Sequence, residues 1–417
     1  MLEGFLGAAK AGAAIIQALL LFNLAYLLFV TVGALLGRRF PPSPSRFRDP
    51  RPQRMAVLIP AHDEERVIGS LLESLQAQDY PAGFMTAFVV ADTCRDGTAA
   101  IARAHGVEAF EREAAGPSSK GQALAWLWKQ LATRHHRFDA VILLDADNLA
   151  DPGFLAALDA QLGRGAAVAQ GVRRSKNPDQ SPASALDSLA EALNHQVVAA
   201  GRHFWGLSGL LSGSGVAFRR DVFDSLVNRT STHVEDCEWQ LALMRKGTAI
   251  RWAPDAVIYD EKISDFSAMA SQRTRWLQGK FGLAASQLLP LVWGSLRMQG
   301  RALDGLCYVL AILPRSVLLV GLLGCAVMGL VWPEGFLPWP VWAIATLGFM
   351  AYIAAGLFLE HATMRMIGAL RYSPFFIRHL LWASIRALGR RRINWVPTRH
   401  DVVKSVHDLE GKGRPNS

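Results

Sequence analysis

From Ala11 to Gly37 the chain carries no charged residue, and an apolar run of that length has few places to go. At about 1.5 Å of helical rise per residue, roughly 20 residues cross a hydrocarbon core. The run is too long for the apolar part of a signal peptide, and no small-residue cleavage site precedes the basic flank Arg38-Arg39. It reads as a retained membrane helix over 11–37. Two further stretches, 312–332 and 339–359, are long enough for the same purpose, with Trp332, Trp339 and Trp342 expected as an interfacial aromatic belt around a short outer loop. Arg315 reads as a residue snorkelling to the cytosolic end of its span, with contact to a lipid or glycan phosphate as the weaker alternative.

The net charge of +9 and 51% hydrophobic content, with a mean hydropathy of +0.18, favour a membrane protein. Basic residues cluster beside apolar spans, at Arg38-Arg39 and Arg390-Arg391-Arg392. That is the positive-inside pattern, which points to membrane lipids and not to nucleic acid as the partner of the charge. It predicts a multi-pass membrane protein with its main domain cytosolic. Cys94, Cys237, Cys307 and Cys325 lie far apart and form neither a disulfide framework nor a zinc motif. Residues 38–53, with Pro41, Pro42, Pro44 and Pro50, read as a stiff linker. Segments 282–304 and 362–394 mix apolar and basic residues and are expected along the membrane surface, and 401–417 is a polar tail.

Between 54 and 281 short apolar runs alternate with helical periodicity. Strands are expected at 55–59, 86–91, 140–144 and 166–170, and helices at 65–78, 120–131 and 152–162. This is the pattern of a doubly wound, Rossmann-like α/β domain, whose ligands lie beyond the carboxyl ends of the strands. Asp92 and Asp145 fall there.

Asp145-Ala146-Asp147 follows an apolar strand. Residues i and i+2 of an extended segment point the same way, so both carboxylates can hold one hard cation, Mg²⁺ or Mn²⁺, on a diphosphate. Thr232 and Glu235 fit a capping box, which leaves Asp236 free to face a cleft. In Gln272-Arg273-Thr274-Arg275-Trp276, Gln272, Arg275 and Trp276 are expected on one helical face, with Arg273 and Thr274 turned away. Arg275 would grip a diphosphate and Trp276 would pack on a sugar. Asp96 reads as the cap of the helix running through Ile101.

Taken together, Pro60-Ala61-His62-Asp63-Glu64, Asp92-Thr93-Cys94-Arg95-Asp96, Lys120-Gly121-Gln122-Ala123-Leu124, Asp145-Ala146-Asp147, Glu235-Asp236 and the Q-x-x-R-W run resemble the membrane-bound family 2 glycosyltransferases. Cellulose, chitin and hyaluronan synthases are members of that group. Asp63 stands where the family usually has Asn, and Val234 where it has Thr. The resemblance implies a GT-A catalytic domain. It implies donor contacts from Glu64, Asp92, Lys120, Asp145, Asp147, Gln272 and Arg275, an acceptor contact from Trp276, and catalysis by the pair Glu235-Asp236, with Asp236 as general base. Asp92 accepting from a ring N–H would favour uracil, hence a UDP-sugar donor. The expected activity is inverting transfer to a growing polysaccharide. The alternatives are single addition to a lipid-linked saccharide, since three spans are few for a glycan channel, and an inactive nucleotide-sensing protein of the same fold. An export partner or a second copy of the chain is also a candidate partner, and the resemblance implies the cell inner (plasma) membrane as the location.

Overall fold

The computed structural model describes residues 2–40, 51–114, 118–229, 234–311, 313–389, 402–405 and 408. The four linker prolines, Thr232, Ile312, the Arg390–Arg392 run and most of the expected tail lie outside the described residues.

The strands are β1 (Met55–Ala61), β2 (Met85–Asp92), β3 (Glu108–Arg112), β4 (Ala140–Leu143), β5 (Leu149–Ala150), β6 (Val168–Ser175), β7 (Val216–Arg219) and β8 (Ile250–Asp260). They form one sheet in the order β3-β2-β1-β4-β7-β6-β8-β5. The pairs β1·β2, β1·β4, β2·β3 and β6·β8 are parallel, and β7 is antiparallel to both β4 and β6. Two reversals cancel, so β6 and β8 run in the direction of β1, β2 and β4. Their carboxyl ends share one edge, where an open α/β sheet binds its ligands.

Strand β1 is apolar throughout because both its faces are covered. Met55, Val57 and Ile59 pack with Leu71, Leu72 and Phe154, whereas Ala56 and Leu58 pack with Leu124, Leu127 and Trp128. The helices supplying these layers are, in chain order after α1 (Leu2–Arg39), α2 (Ile68–Gln76), α3 (Thr98–Ala104), α4 (Lys120–Gln130) and α5 (Phe154–Gly163). Strands β3, β5, β7 and β8 were not expected. β8 contains Pro254 and Asp255, which weaken a strand pattern. A register shift between Gly171 and Val172 of β6 accommodates the irregularity. At Gly171 a Cβ would lie 2.4 Å from the Ala256 carbonyl oxygen, so the two strands approach too closely for any side chain there.

A long helix unforeseen in the sequence follows β6. It runs from α6 (Pro182–Ala192) through a π-helical stretch (Leu193–Ala199) into α7 (Ala200–Phe204). Beyond it come α8 (Arg220–Leu226), α9 (Glu235–Arg245), α10 (Phe266–Leu296), α11 (Ala302–Leu310), α12 (Arg315–Val331), α13 (Trp339–Leu359), α14 (Met364–Ala369) and α15 (Ser373–Ala387). Leu20 and Leu24 of α1, Leu193 and Val197 of the π stretch, Leu322 of α12 and Phe349 of α13 form a separate helical core. α1 lies directly on α7, because Gly201 leaves room for the Val30 carbonyl.

Among the described residues, α1 and α13 are long and apolar enough to cross a membrane. α11 and α12 qualify together as a pair bent by 64°. Polar residues inside the bundle find backbone partners in a loop and at a helix end. Gln17 donates to the Gly335 carbonyl at 3.0 Å and accepts from the Leu337 N–H at 2.9 Å, and Asn23 donates to the Leu310 carbonyl at 3.1 Å. Trp342 is fully buried in the helical core, so it is not part of an aromatic belt. α10 passes through residue 282 without a break, so the membrane-side segment is a continuation of the helix that carries Gln272–Trp276.

Candidate active site

A cavity of about 1140 Å³ opens at the shared carboxyl edge of the sheet and extends between the C-terminal helices. Glu64 after β1, Asp92 at the end of β2, Lys120 at the start of α4, Asp145 and Asp147 after β4, and Glu235 and Asp236 at the start of α9 all line it.

Asp92 stands opposite Arg112 in the β2·β3 ladder. Its carboxylate accepts from Arg112 Nη1 at 2.6 Å and from Ser118 Oγ at 2.6 Å, which fixes its orientation. Asp63 has a positive φ of 55°, a conformation that Asn and Asp tolerate best. Its Oδ1 accepts from the Arg95 N–H at 2.7 Å. Asp96 accepts from the N–H groups of Thr98 and Glu65, each at 3.0 Å, the local capping expected of it. Asp63, Cys94 and Asp96 bring ligand-type atoms together, and these hydrogen bonds account for the grouping as a tie between two loops.

The Asp145–Asp147 segment is not extended. Asn148 N–H donates to the Asp145 carbonyl at 3.0 Å, closing a turn. Both carboxylates nevertheless reach the cavity, because the turn is held from below: Ser214 bonds the Asp145 N–H at 3.0 Å and also contacts Asn148. Gly213 and Gly215 adopt φ of +73° and +66°, which lets the Gly213-Ser214-Gly215 loop fold back under Asp145. Asp147 accepts from Asn148 Nδ2 at 3.1 Å and from the Glu261 N–H at 3.2 Å. Lys120 forms an ion pair with Asp145 and donates to the Gly213 carbonyl at 2.8 Å.

Val234 occupies the N-cap of α9 and gives no side-chain cap, so Glu235 is the first helical residue and does not close a capping box. Its side chain turns to the cavity instead. Burial pushes the Glu235 carboxyl up to about 7 against the pull of Lys120, with Asp236 and Asp145 adding to the rise. Asp236 accepts from the Cys237 N–H at 2.7 Å.

On α10 the cavity is lined by Gln272, Arg273, Trp276, Leu277 and Lys280, and Arg275 is not among them. Each residue of a helix turns about 100° from the last, so these five cover an arc centred between Trp276 and Lys280. Arg275 falls about 130° from that centre. The expected set Gln272, Arg275, Trp276 is therefore corrected: Arg273 takes the place of Arg275. Arg273 pairs with the buried Asp187, and its guanidinium lies 4.6 Å from the centre of the Trp276 ring, covering one face of that aromatic. Thr274 is buried and donates to the Ala270 carbonyl at 2.7 Å.

A buried ionic cluster unforeseen in the sequence stands beside these groups. Arg173 of β6 pairs with Asp260 at the end of β8, and Lys262 Nζ lies 2.9 Å from Asp260 and 3.4 Å from Glu191 of α6. Burial would raise the Glu191 carboxyl, but Lys262 and Arg173 hold it well below the usual range. Asp260 sits at a strand end, the position that drew attention to Asp92. Without β8 in the expected strand set, Asp260 had no such signal.

Residues 52–279 match the family described as glycosyltransferase like family 2. A probable glycosyltransferase, YdaM, of Bacillus subtilis (strain 168) is 24% identical over 233 residues, 54% of this chain. The match spans about half of that relative, 55% of its length. Among solved structures, the mannosyltransferase PcManGT of Pyrobaculum calidifontis, determined with GDP-Man and Mn²⁺, superposes with a TM-score of 0.53 at 18% identity. It covers 92% of this chain and 100% of its own, which shows a shared fold. The glucosyl-3-phosphoglycerate synthase of Mycobacterium tuberculosis is more distant, with a TM-score of 0.36 at 21% identity over 52% of this chain and 75% of its own.

Proposed function

The chain belongs to glycosyltransferase family 2, with a GT-A fold, and we propose that it is an inverting membrane enzyme moving a sugar from a UDP-sugar to an acceptor hydroxyl. One observation carries this reading: Asp92, Asp145, Asp147 and Asp236, from three separate elements of the domain, meet in one cavity. The acceptor oxygen attacks the anomeric carbon, the bond from that carbon to the UDP oxygen breaks, and the acceptor proton passes to Asp236. A positioned base of this kind is worth about 10²–10⁴ in rate.

The cavity wall carries ten acidic side chains against six lysines and arginines. A diphosphate entering such a surplus of carboxylates needs a cation beside it. The carboxylate pair Asp145 and Asp147 offers hard oxygen ligands suited to Mg²⁺ or Mn²⁺, which when bound would neutralise the departing diphosphate. Lys120 stands against Asp145 and supplies a further positive charge at the same place. Arg112 and Ser118 keep Asp92 oriented for the base.

For the acceptor, single addition to a lipid-linked saccharide is favoured over a growing polysaccharide. Away from the acidic groups the cavity wall becomes aliphatic and aromatic, with Leu193, Leu319, Phe349 and Ile353, whereas a passage for saccharide needs polar groups along its length. Purified protein supplied with Mn²⁺ and a panel of UDP-sugars should release UDP from one of them, and mass spectrometry should find one sugar added per acceptor. A preference for GDP-sugars would overturn the uracil assignment. Long products beside untouched acceptor would restore the polysaccharide reading, and no turnover of any nucleotide sugar would leave the sensor reading standing.

A further inference from the structure

The cavity continues from the acidic groups into the space between α12, α13 and α15, where Leu319, Phe349, Met350, Ile353, Ile377 and Leu380 line it. At the junction stands the first turn of α12. Pro314 occupies its cap position and supplies no side-chain acceptor to the opening N–H groups of this 17-residue helix. Arg315 does not snorkel to a surface as its sequence position led one to expect. Its Nε donates to the Tyr352 hydroxyl at 2.6 Å, Nη2 to Asn194 Oδ1 at 2.7 Å and Nη1 to the Ala190 carbonyl at 3.4 Å. All three partners are neutral, and among the described residues Arg315 forms no ion pair. Ser316 follows it, 4% exposed and on the cavity wall, with an Oγ that has no hydrogen-bond partner among the described residues.

An unneutralised guanidinium, a buried hydroxyl without a partner and the positive end of a helix thus meet in one place. Each is costly in a low-dielectric bundle, and an anion with several acceptor oxygens answers all three. The apolar compartment beyond them accepts a hydrocarbon chain. We propose that the first turn of α12 binds the phosphate of an amphiphile, whose tail lies between α12, α13 and α15 and whose hydroxyl-bearing head extends toward Asp236. This rests on the reading of the chain as a transferase to a lipid-linked acceptor, and it adds an anionic phosphate and a place for it. A free phosphate would satisfy the polar groups but leave the apolar compartment without a purpose, so the lipid source is the one proposed.

The test uses the full chain in nanodiscs, titrated with farnesyl phosphate, farnesol and inorganic phosphate, and separately with UDP and Mn²⁺. Farnesyl phosphate should bind saturably and more tightly than either of the others. Hydrogen bonds to charged groups contribute enough that Arg315→Gln should weaken it about ten-fold or more, while UDP binding stays unchanged and reports an intact fold. Ile353→Trp, which fills the tail compartment, should weaken farnesyl phosphate and leave inorganic phosphate unaffected. Equal affinity for farnesol, equal affinity for inorganic phosphate, or indifference to Arg315→Gln would each overturn the proposal. Loss of UDP binding in the unaltered protein, with farnesyl phosphate still bound, would instead overturn the donor reading and leave this site standing.

Discussion

Lys120 and Asp145 are paired at the floor of the cavity, and the same ammonium donates at 2.8 Å to the Gly213 carbonyl. The pair ties the α4 start, the turn after β4 and the Gly213–Gly215 loop into one unit. Burial opposes the charge on Lys120, yet Asp145 and Glu235 hold it above the usual lysine range, so it remains a cation. Lys120→Met keeps the length and removes the charge. It should lower turnover of the UDP-sugar, read as UDP release, by about ten-fold or more, the scale set by a charge-assisted hydrogen bond. Unchanged turnover would mean that the ammonium serves only the fold.

Asp147→Ala and Asp236→Asn separate two roles. The first should abolish metal-dependent UDP binding, measured by calorimetry with Mn²⁺. The second should keep that binding and lower turnover by about 10²–10⁴. Wild-type turnover in Asp236→Asn would remove it as the base.

Glu235 makes stability depend on pH. With its carboxyl raised from 4.5 to about 7 in the folded protein, the folded state keeps a proton that the unfolded chain has already lost. Stability should therefore be full below about pH 4.5 and should decline as pH rises through about 7. Glu235→Gln removes this contribution, so the melting temperature of the variant should fall less over the same interval. Parallel curves for the two proteins would contradict the assignment.

Arg273 and Arg275 are two residues apart but should behave differently. Arg273→Gln strands the buried Asp187, and breaking a buried pair from one side costs about 3–5 kcal/mol. Arg275 is partly exposed and lies off the cavity wall, so Arg275→Gln should shift the thermal midpoint less. Equal shifts would place both arginines in structural roles of the same weight.

Gly201 is fixed by contact with α1, since a Cβ there would fall 1.8 Å from the Val30 carbonyl oxygen. Gly201→Val should push α1 off α7 and cost about 1–3 kcal/mol or more, the range of overpacked cores. A midpoint equal to wild type would show that the two helices separate freely.

The sequence by itself determined the elements whose signals are local. An uncharged run such as 11–37, an apolar β1 covered on both faces and acidic residues placed just after strands are each read from neighbours along the chain. Strand ends drew attention to Asp92 and Asp145, the D-x-D spacing to Asp147 and the family resemblance to Asp236, and all four line the cavity. Tertiary structure decided whatever depends on partners distant in sequence. β8, with Pro254 in it, is a strand because it pairs with β6 on either side of a bulge in which residues 254–256 have no partner, and only that pairing brings Asp260 to Arg173. Which flank of α10 faces the cavity follows from how that helix docks, so Arg273 replaced Arg275 although every residue of the motif had been recognised. Arg315 turned inward because Tyr352 and Asn194, each more than thirty positions away along the chain, offer it oxygens there. Spacing along the chain fixes which residues share a face of one element, whereas the partner that face meets is set by packing among elements that no local pattern encodes.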